Sequence, residues 1–294
     1  MEENDLLNTI QKKIPELSKG QKRIAKFLIE DYDKAIYLTA SKLGEITGVS
    51  ESTVVRFAIE LGFDGYPKLQ RALEELVKTK LTASQRIQVS SDRMEKSDKS
   101  ILKSVLESDS DRIHNTLNEI DEKVFEQCVD AILAAKRVYI FGGRSSFALA
   151  SFLHFYLNLM IDDAVLINSY ASTEIFEQIY KMDEGDLFIG ISFPRYSQRT
   201  IKAMEYTRKK GVQTIAITDC KVSPLVKYAD FSLTARSDMV SFVDSLVAPL
   251  SVINALLVGI SVSKKDELMK NLDNLERIWN EYQVYTSNTP QKYI

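Results

Sequence analysis

Two sets of hydroxyl and guanidinium side chains in this chain of 294 residues have the composition of anion-binding sites. One is Ser50-Glu51-Ser52-Thr53, followed by Arg56. The other is split between Gly142-Gly143-Arg144-Ser145-Ser146 and Ser192-Phe193-Pro194-Arg195-Tyr196-Ser197. Hydroxyls donate to phosphate oxygens, and a guanidinium adds charge and parallel N–H donors. Cys128 and Cys220, with His114 and His154, are too few and too far apart for a disulfide framework or a zinc site. Reduced thiols, no metal and no cofactor are therefore expected. The paired glycines belong to no G-x-G-x-x-G run and no G-K-[ST] follows them, which excludes the dinucleotide and Walker fingerprints.

The first set needs a frame, and Thr39–Leu61 supplies one. Leu43 and Ile46 are expected on the inner face of a short helix, and Gly48 at the left-handed turn that ends it. Val49 plugs the gap between two helices, and small Gly44 suits their close crossing. Ser50 is placed to cap the next helix through its hydroxyl, and Val54, Phe57, Ala58 and Leu61 give that helix a buried side. Glu51, Ser52, Thr53, Val55 and Arg56 are left facing outward. This is helix-turn-helix spacing, in which the start of the second helix meets base edges and phosphates of DNA. Thr53 and Arg56 are the first candidates, with Ser52 and Ser50 beside them. The same spacing also fits a plain helical hairpin, and residues 1–80 are neutral, with 13 Lys+Arg against 13 Asp+Glu. DNA binding then requires positive charge concentrated on one face. The candidate clusters are Lys12, Lys13, Lys19, Lys22, Arg23 and Lys26, and Arg56, Lys68 and Arg71.

The second set lies where five apolar runs alternate with helical stretches: Arg137–Phe141, Ala164–Asn168, Asp186–Ser192, Val212–Thr218 and Phe231–Ala235. Near-continuous apolar runs mark strands buried on both faces of a parallel sheet. The pattern predicts an α/β, doubly wound, five-stranded sheet of flavodoxin-like order. In such sheets ligands bind beyond the carboxyl ends of the strands at the switch in strand order. The loops after the first and third strands are the ones concerned. Gly143, Arg144, Ser145, Ser146, Ser192, Arg195, Tyr196 and Ser197 are candidate phosphate ligands, with helix capping as the plainer role for each serine.

Around these sites, residues 1–78 read as all-helical, and residues 79–100, rich in Ser, Lys, Asp and Arg, as a linker. Residues 101–294 form the α/β part with flanking helices. Leu268, Leu272, Leu275, Trp279 and Tyr282 make a short a/d seam, facing either the domain or a second subunit. The uncharged run 245–262 has the length of a membrane span but holds Pro249, Asn254 and three serines, so a buried helix is expected. Apolar content of 45%, charged content of 27% and a net charge of -3 are ordinary for a globular protein. The acidic start lacks a signal-peptide pattern, and a cytoplasmic location without membrane contact is expected.

On ITGVSESTVVRFAIELGFDGYPKLQ and ISFPRYSQRT the chain resembles the RpiR-type regulators, which join an N-terminal helix-turn-helix to a sugar-isomerase (SIS) domain. Gly62-Phe63-Asp64-Gly65-Tyr66 looks like the family's closing turn. The resemblance implies control of sugar-catabolic genes, operator DNA as partner and a sugar phosphate as effector. SIS domains usually bind phosphate with S-x-S-G-x-[ST]. Ser192 and Ser197 match its outer hydroxyls, Pro194 and Arg195 replace Ser and Gly, and Ser145 matches the serine of the first SIS loop. That departure is similar to one branch of the regulators rather than to the isomerases. No catalytic residue is assigned, and a homodimer or homotetramer on a two-fold operator is expected. Two other classes stay open: an SIS isomerase or lyase, with Glu174 as the best-placed base, and a sugar-phosphate-binding partner protein without DNA contact.

Overall fold

The computed structural model describes residues 6–36, 38–80, 82, 84–87, 91, 100–168, 171–237 and 243–284. Two compact units emerge: residues 1–108 with 238–245, and residues 109–237 with 246–294. Most of the expected linker, 79–100, lies outside the described residues.

The first unit is helical: α1 (Leu6–Lys13), α2 (Lys19–Glu30), α3 (Tyr32–Ala35), α4 (Ala40–Thr47), α5 (Glu51–Glu60) and α6 (Tyr66–Lys80). Its local starts are legible in side chains. Ser18 and Gln21 form a reciprocal capping box at α2, satisfying two N–H groups that the helix start leaves open. Ile10, Ile24, Leu28, Leu43, Phe57, Leu69 and Leu73 are fully enclosed in one core. Tyr66 ties α6 to the chain before α4 by donating its hydroxyl to the Leu38 carbonyl at 2.8 Å, and burial pushes its phenol up to about 12.

The second unit opens with α7 (Ile101–Glu119, its last eleven residues) and α8 (Glu122–Ala134). Its five-stranded sheet is entirely parallel, in the order β2-β1-β3-β4-β5. The strands are β1 (Val138–Gly142), β2 (Ala164–Leu166), β3 (Leu187–Ile191), β4 (Gln213–Thr218) and β5 (Phe231–Thr234). Each falls within one of the five apolar runs apart from a residue at the end of β1. Ile140, Ile189, Ile215 and Leu233 point into a core shared with α8, α9 (Ser146–Met160) and α12 (Val247–Ser263). Tyr139, Phe141, Phe188 and Ala216 point the other way, toward α10 (Ser172–Ile179) and α11 (Gln198–Lys209). Burial on both faces is why β1 and β3 lack polar alternation.

The uncharged run became α12, with Val252, Ile253, Leu256 and Ile260 in the core. No single helix among the described residues is long and apolar enough to cross a membrane. The tail helix α13 (Lys265–Glu281) lies along α9, with Leu268, Leu272, Leu275 and Trp279 half-buried and Tyr282 exposed. Its seam therefore faces its own domain. Cys128 is buried in the core, which pushes its thiol up to about 12 and keeps it protonated.

Candidate functional site

In the first unit, α4 and α5 form the expected helix-turn-helix. Thr39 caps α4, accepting the Lys42 N–H at 3.2 Å. Gly48 ends it at φ 68°, a conformation that costs other residues about 1 kcal/mol or more. A Cβ on Gly44 would lie 2.7 Å from the Val49 carbonyl oxygen, so the crossing tolerates only glycine. Val54, Phe57, Ala58 and Leu61 are buried as expected. Ile46 is not: it is 48% exposed, and Thr47 takes the inner position, its hydroxyl satisfied by the Leu43 carbonyl at 2.7 Å.

The start of α5 carries a second departure. Ser50 occupies the cap position, but its hydroxyl accepts no backbone N–H. It lies 2.9 Å from both the Ser52 and Thr53 hydroxyls. The result is a cluster of three hydroxyls at the positive end of a helix, with no side-chain oxygen on the first-turn N–H groups. Arg56 is exposed one turn on, its Nε donating to the Ser52 carbonyl at 3.3 Å. Thr53 and Arg56 line a hollow of about 710 Å³ together with Lys13, Glu16, Ser18, Gln21 and Glu60.

The basic clusters divide. Arg23 braces the turn by donating to the Gly48 carbonyl at 2.7 Å, and Lys13 donates to the Glu60 carbonyl. Lys19 and Lys22 have no carboxylate partner among the described residues and stand exposed at the start of α2. That helix start abuts α5: a Cβ on Gly20 would sit 3.2 Å from Val49 and 3.7 Å from Thr53. The start of α2, which carries both lysines, thus lies close to the start of α5.

In the second unit, a cleft of about 390 Å³ opens beyond the carboxyl ends of β1, β2 and β3. It is lined by Gly142, Gly143, Arg144 and Phe147 after β1, by Asn168 after β2, and by Arg195, Tyr196, Ser197, Gln198 and Arg199 after β3. The β1–β3 boundary is where the strand order reverses. Gly143 is required by the neighbouring loop, since a Cβ there would sit 2.7 Å from the Ser197 Oγ. Arg144 is held at φ 58°, a left-handed conformation costing a non-glycine residue about 1–3 kcal/mol.

The loop after β3 is braced from below. The Ser192 hydroxyl, itself buried, accepts the Ser197 N–H at 3.0 Å. Ser197 caps α11 through the Thr200 N–H at 3.4 Å. Tyr196 donates to Asp219 Oδ1 at 2.8 Å. Burial, and then the Asp219 carboxylate, push the Tyr196 phenol far above its ordinary range, so it remains a donor.

The structure therefore brings Gly143, Arg144, Arg195, Tyr196 and Ser197 to one cleft. Ser145 starts α9 outside the lining, Ser146 is buried beneath Gly142, and Ser192 acts on the loop rather than on the opening. Phe147, Asn168, Gln198 and Arg199 were missed; reading one helical turn past Ser197 would have found Arg199. Thr200 was missed as well: its fully buried hydroxyl, 3.5 Å from where a Gly143 Cβ would stand, has no hydrogen-bond partner among the described residues.

Three guanidiniums face this cleft, and among the described residues none of them has a carboxylate partner. Among the described residues the lining holds no carboxylate and no imidazole. Glu174 sits exposed in the first turn of α10, and His154 is packed on α9 with Nε2 3.1 Å from the Ala164 carbonyl. The arrangement is suited to holding a small anion with hydroxyl groups.

Comparison with known proteins places both units. Residues 4–80 match the model of the helix-turn-helix domain of the rpiR family, and residues 131–259 match that of the SIS domain. The HTH-type transcriptional regulator HexR of Pseudomonas aeruginosa is 23% identical over 281 residues, 92% of this chain and 94% of its own. An RpiR transcription factor from Sphaerobacter thermophilus, solved as its sugar isomerase domain, is 30% identical with a TM-score of 0.59, covering 61% of this chain and 99% of that one. The NanR protein of Vibrio vulnificus, solved in complex with ManNAc-6P, shares the fold at 20% identity and a TM-score of 0.59, over 94% of this chain and 98% of its own. With a helix-turn-helix ahead of an SIS fold, this chain belongs to the RpiR family of HTH-type transcriptional regulators and is a regulator rather than an enzyme.

Proposed function

We propose that the chain is a cytoplasmic regulator of carbohydrate-catabolic genes whose hold on operator DNA is set by a phosphorylated sugar in the cleft. Residues 1–78 read the duplex, 101–294 sense the metabolite and 79–100 join them. Ser50, Ser52, Thr53 and Arg56 meet the DNA, two chains binding a two-fold operator. The observation that carries the reading is the carboxylate-free lining with Arg144, Arg195 and Arg199 around Ser197 at the switch in strand order. The positive end of α11 adds to the attraction for a phosphate. Asn168 and Gln198 suit the sugar's own hydroxyls, and the ManNAc-6P bound by NanR is a ligand of this class. Ser192 braces the loop after β3 through the Ser197 N–H, and Ser145 and Ser146 stand just outside the lining.

A bound sugar phosphate shifts the balance between DNA-bound and free states only by its difference in affinity for the two. The test uses duplexes that the full chain selects from a random-sequence pool. Titrated against the selected duplex, the chain is expected to change affinity at least several-fold when a hexose phosphate is added, a typical coupling of about 1–3 kcal/mol, and not when the parent sugar is added. Failure to select any duplex, or equal response to sugar and sugar phosphate, overturns the proposal.

A further inference from the structure

Helix α5 presents one exposed aliphatic side chain that the core does not claim. Ile59 is 57% exposed, whereas Val55, the other apolar residue expected to face outward, packs against the core of the unit. Ser52, Arg56 and Ile59 recur at i, i+4 and i+7, and all three are exposed, so they form one stripe along the helix. An isolated exposed apolar residue is ordinary on a protein surface. Ile59 differs in its place. It continues the stripe that begins at the hydroxyl cluster, and it lines the same hollow as Thr53 and Arg56.

The chemistry of that hollow identifies its occupant. Among its described lining residues, Lys13 and Arg56 are matched by Glu16 and Glu60. Glu60 is held in place, its Oε2 accepting the Gln21 Nε2–H at 2.7 Å. A hollow without net positive charge is a poor seat for a phosphate, which is drawn by uncompensated cations. A base edge is a different partner. In the major groove it offers the paired acceptors of guanine, the amino group of cytosine and the C5-methyl group of thymine. Arg56, Glu60 and Ile59 present the donor, the acceptor and the apolar surface that complement these groups.

Helix geometry fixes the base pair concerned. Three residues advance a helix by about 4.5 Å, and successive base pairs are about 3.4 Å apart. With α5 lying along the groove, Ile59 falls on the base pair next to the one that Arg56 reads.

We propose that Ile59 is a specificity-determining residue, reading the C5-methyl group of a thymine beside the base pair contacted by Arg56. The inference rests on the reading of α5 as the helix that meets DNA. It adds a base preference that hydroxyls and a guanidinium do not supply.

The test is fluorescence anisotropy of the full chain with the selected duplex, each thymine replaced in turn by deoxyuridine, which removes that methyl group alone. The base pair read by Arg56 is located as the position at which Arg56→Ala loses discrimination. At a thymine next to it, the replacement is expected to weaken wild-type binding by about fourfold, the worth of one buried methyl-sized group. Ile59→Ala is expected to bind the unmodified duplex more weakly by about fourfold or more, and to lose nothing further with the deoxyuridine, as coupled partners do. Its melting temperature is expected to match wild type, since Ile59 lies outside the core. A duplex with no sensitive thymine beside the Arg56 position overturns the assignment, and so does a sensitive thymine that stays equally sensitive in Ile59→Ala. Either result leaves the reading of the chain as a DNA-binding regulator standing. An Arg56→Ala variant that loses discrimination nowhere also overturns the assignment, and failure to select any duplex overturns both together.

Discussion

Arg56→Ala is expected to weaken binding to the selected operator by about 10- to 100-fold, corresponding to the 1–3 kcal/mol carried by a specific arginine contact to a base edge. Arg56 is exposed on α5, and among the described residues only its Nε is engaged, with the Ser52 carbonyl at 3.3 Å, which leaves its outer nitrogens for a base. The substitution leaves Val54, Phe57 and Ala58 in place, and the melting temperature is expected to stay within about a degree of wild type, as surface changes usually do. Lys19→Ala and Lys22→Ala provide the contrast. Exposed at the start of α2, which approaches Thr53 through Gly20, they are expected to weaken binding to every duplex alike and to reduce the salt dependence by about one unit of slope each. Fluorescence anisotropy with selected and scrambled duplexes at several salt concentrations separates the two behaviours. Wild-type affinity in Arg56→Ala means that α5 does not read sequence through that residue.

Removing Arg195 and Arg199 together is expected to lower affinity for the sugar phosphate by on the order of 100-fold or more. Hydrogen bonds to charged groups contribute about 1.5–3 kcal/mol each, and both guanidiniums face the cleft without a competing carboxylate among the described residues. Both are exposed, so the double alanine variant keeps its fold and its DNA binding while losing its response to the metabolite. Ser197→Ala is a less clean probe, because Ser197 also caps α11 and its N–H is held by Ser192. Isothermal titration on the double variant gives the answer. Unchanged affinity places the phosphate elsewhere in the molecule.

Much of this architecture is legible in the residues. The central strands were readable because both faces of the sheet are covered there, which leaves Val138–Gly142 and Leu187–Ile191 without charged or amide side chains and confines the polar residues of Gln213–Thr218 to its ends. Gly44 and Gly48 were readable because one sits at a close crossing and the other needs a positive φ. Ile46 was misplaced for a local reason: Thr47 can bury itself only because its hydroxyl finds the Leu43 carbonyl one turn back, and the hydrophobic pattern is blind to that bond. Ser50 looks like a cap by position, yet its hydroxyl joins two neighbouring hydroxyls instead.

The cleft was half legible. Arg195 and Ser197 lie in a loop that follows a readable strand, so topology alone located them. Asn168 and Arg199 approach from a different loop and from the first turn of a helix, and only tertiary convergence joins them to the site. Asp219 carries no motif at all; it matters because Tyr196 donates to it across the sheet edge. Residues that brace a site through other residues leave little trace in spacing.

The claim that everything else depends on is that the cleft binds a phosphorylated sugar. Thermal denaturation of the full chain against a panel of hexose and N-acetylhexosamine 6-phosphates, with parent sugars and inorganic phosphate as controls, tests it most directly. At least one sugar phosphate is expected to raise the transition progressively with concentration, adding about 2.7 kcal/mol at a hundred times its Kd, while its parent sugar does nothing. A panel in which no phosphorylated sugar moves the transition, or in which parent sugar and phosphate ester move it equally, contradicts the account.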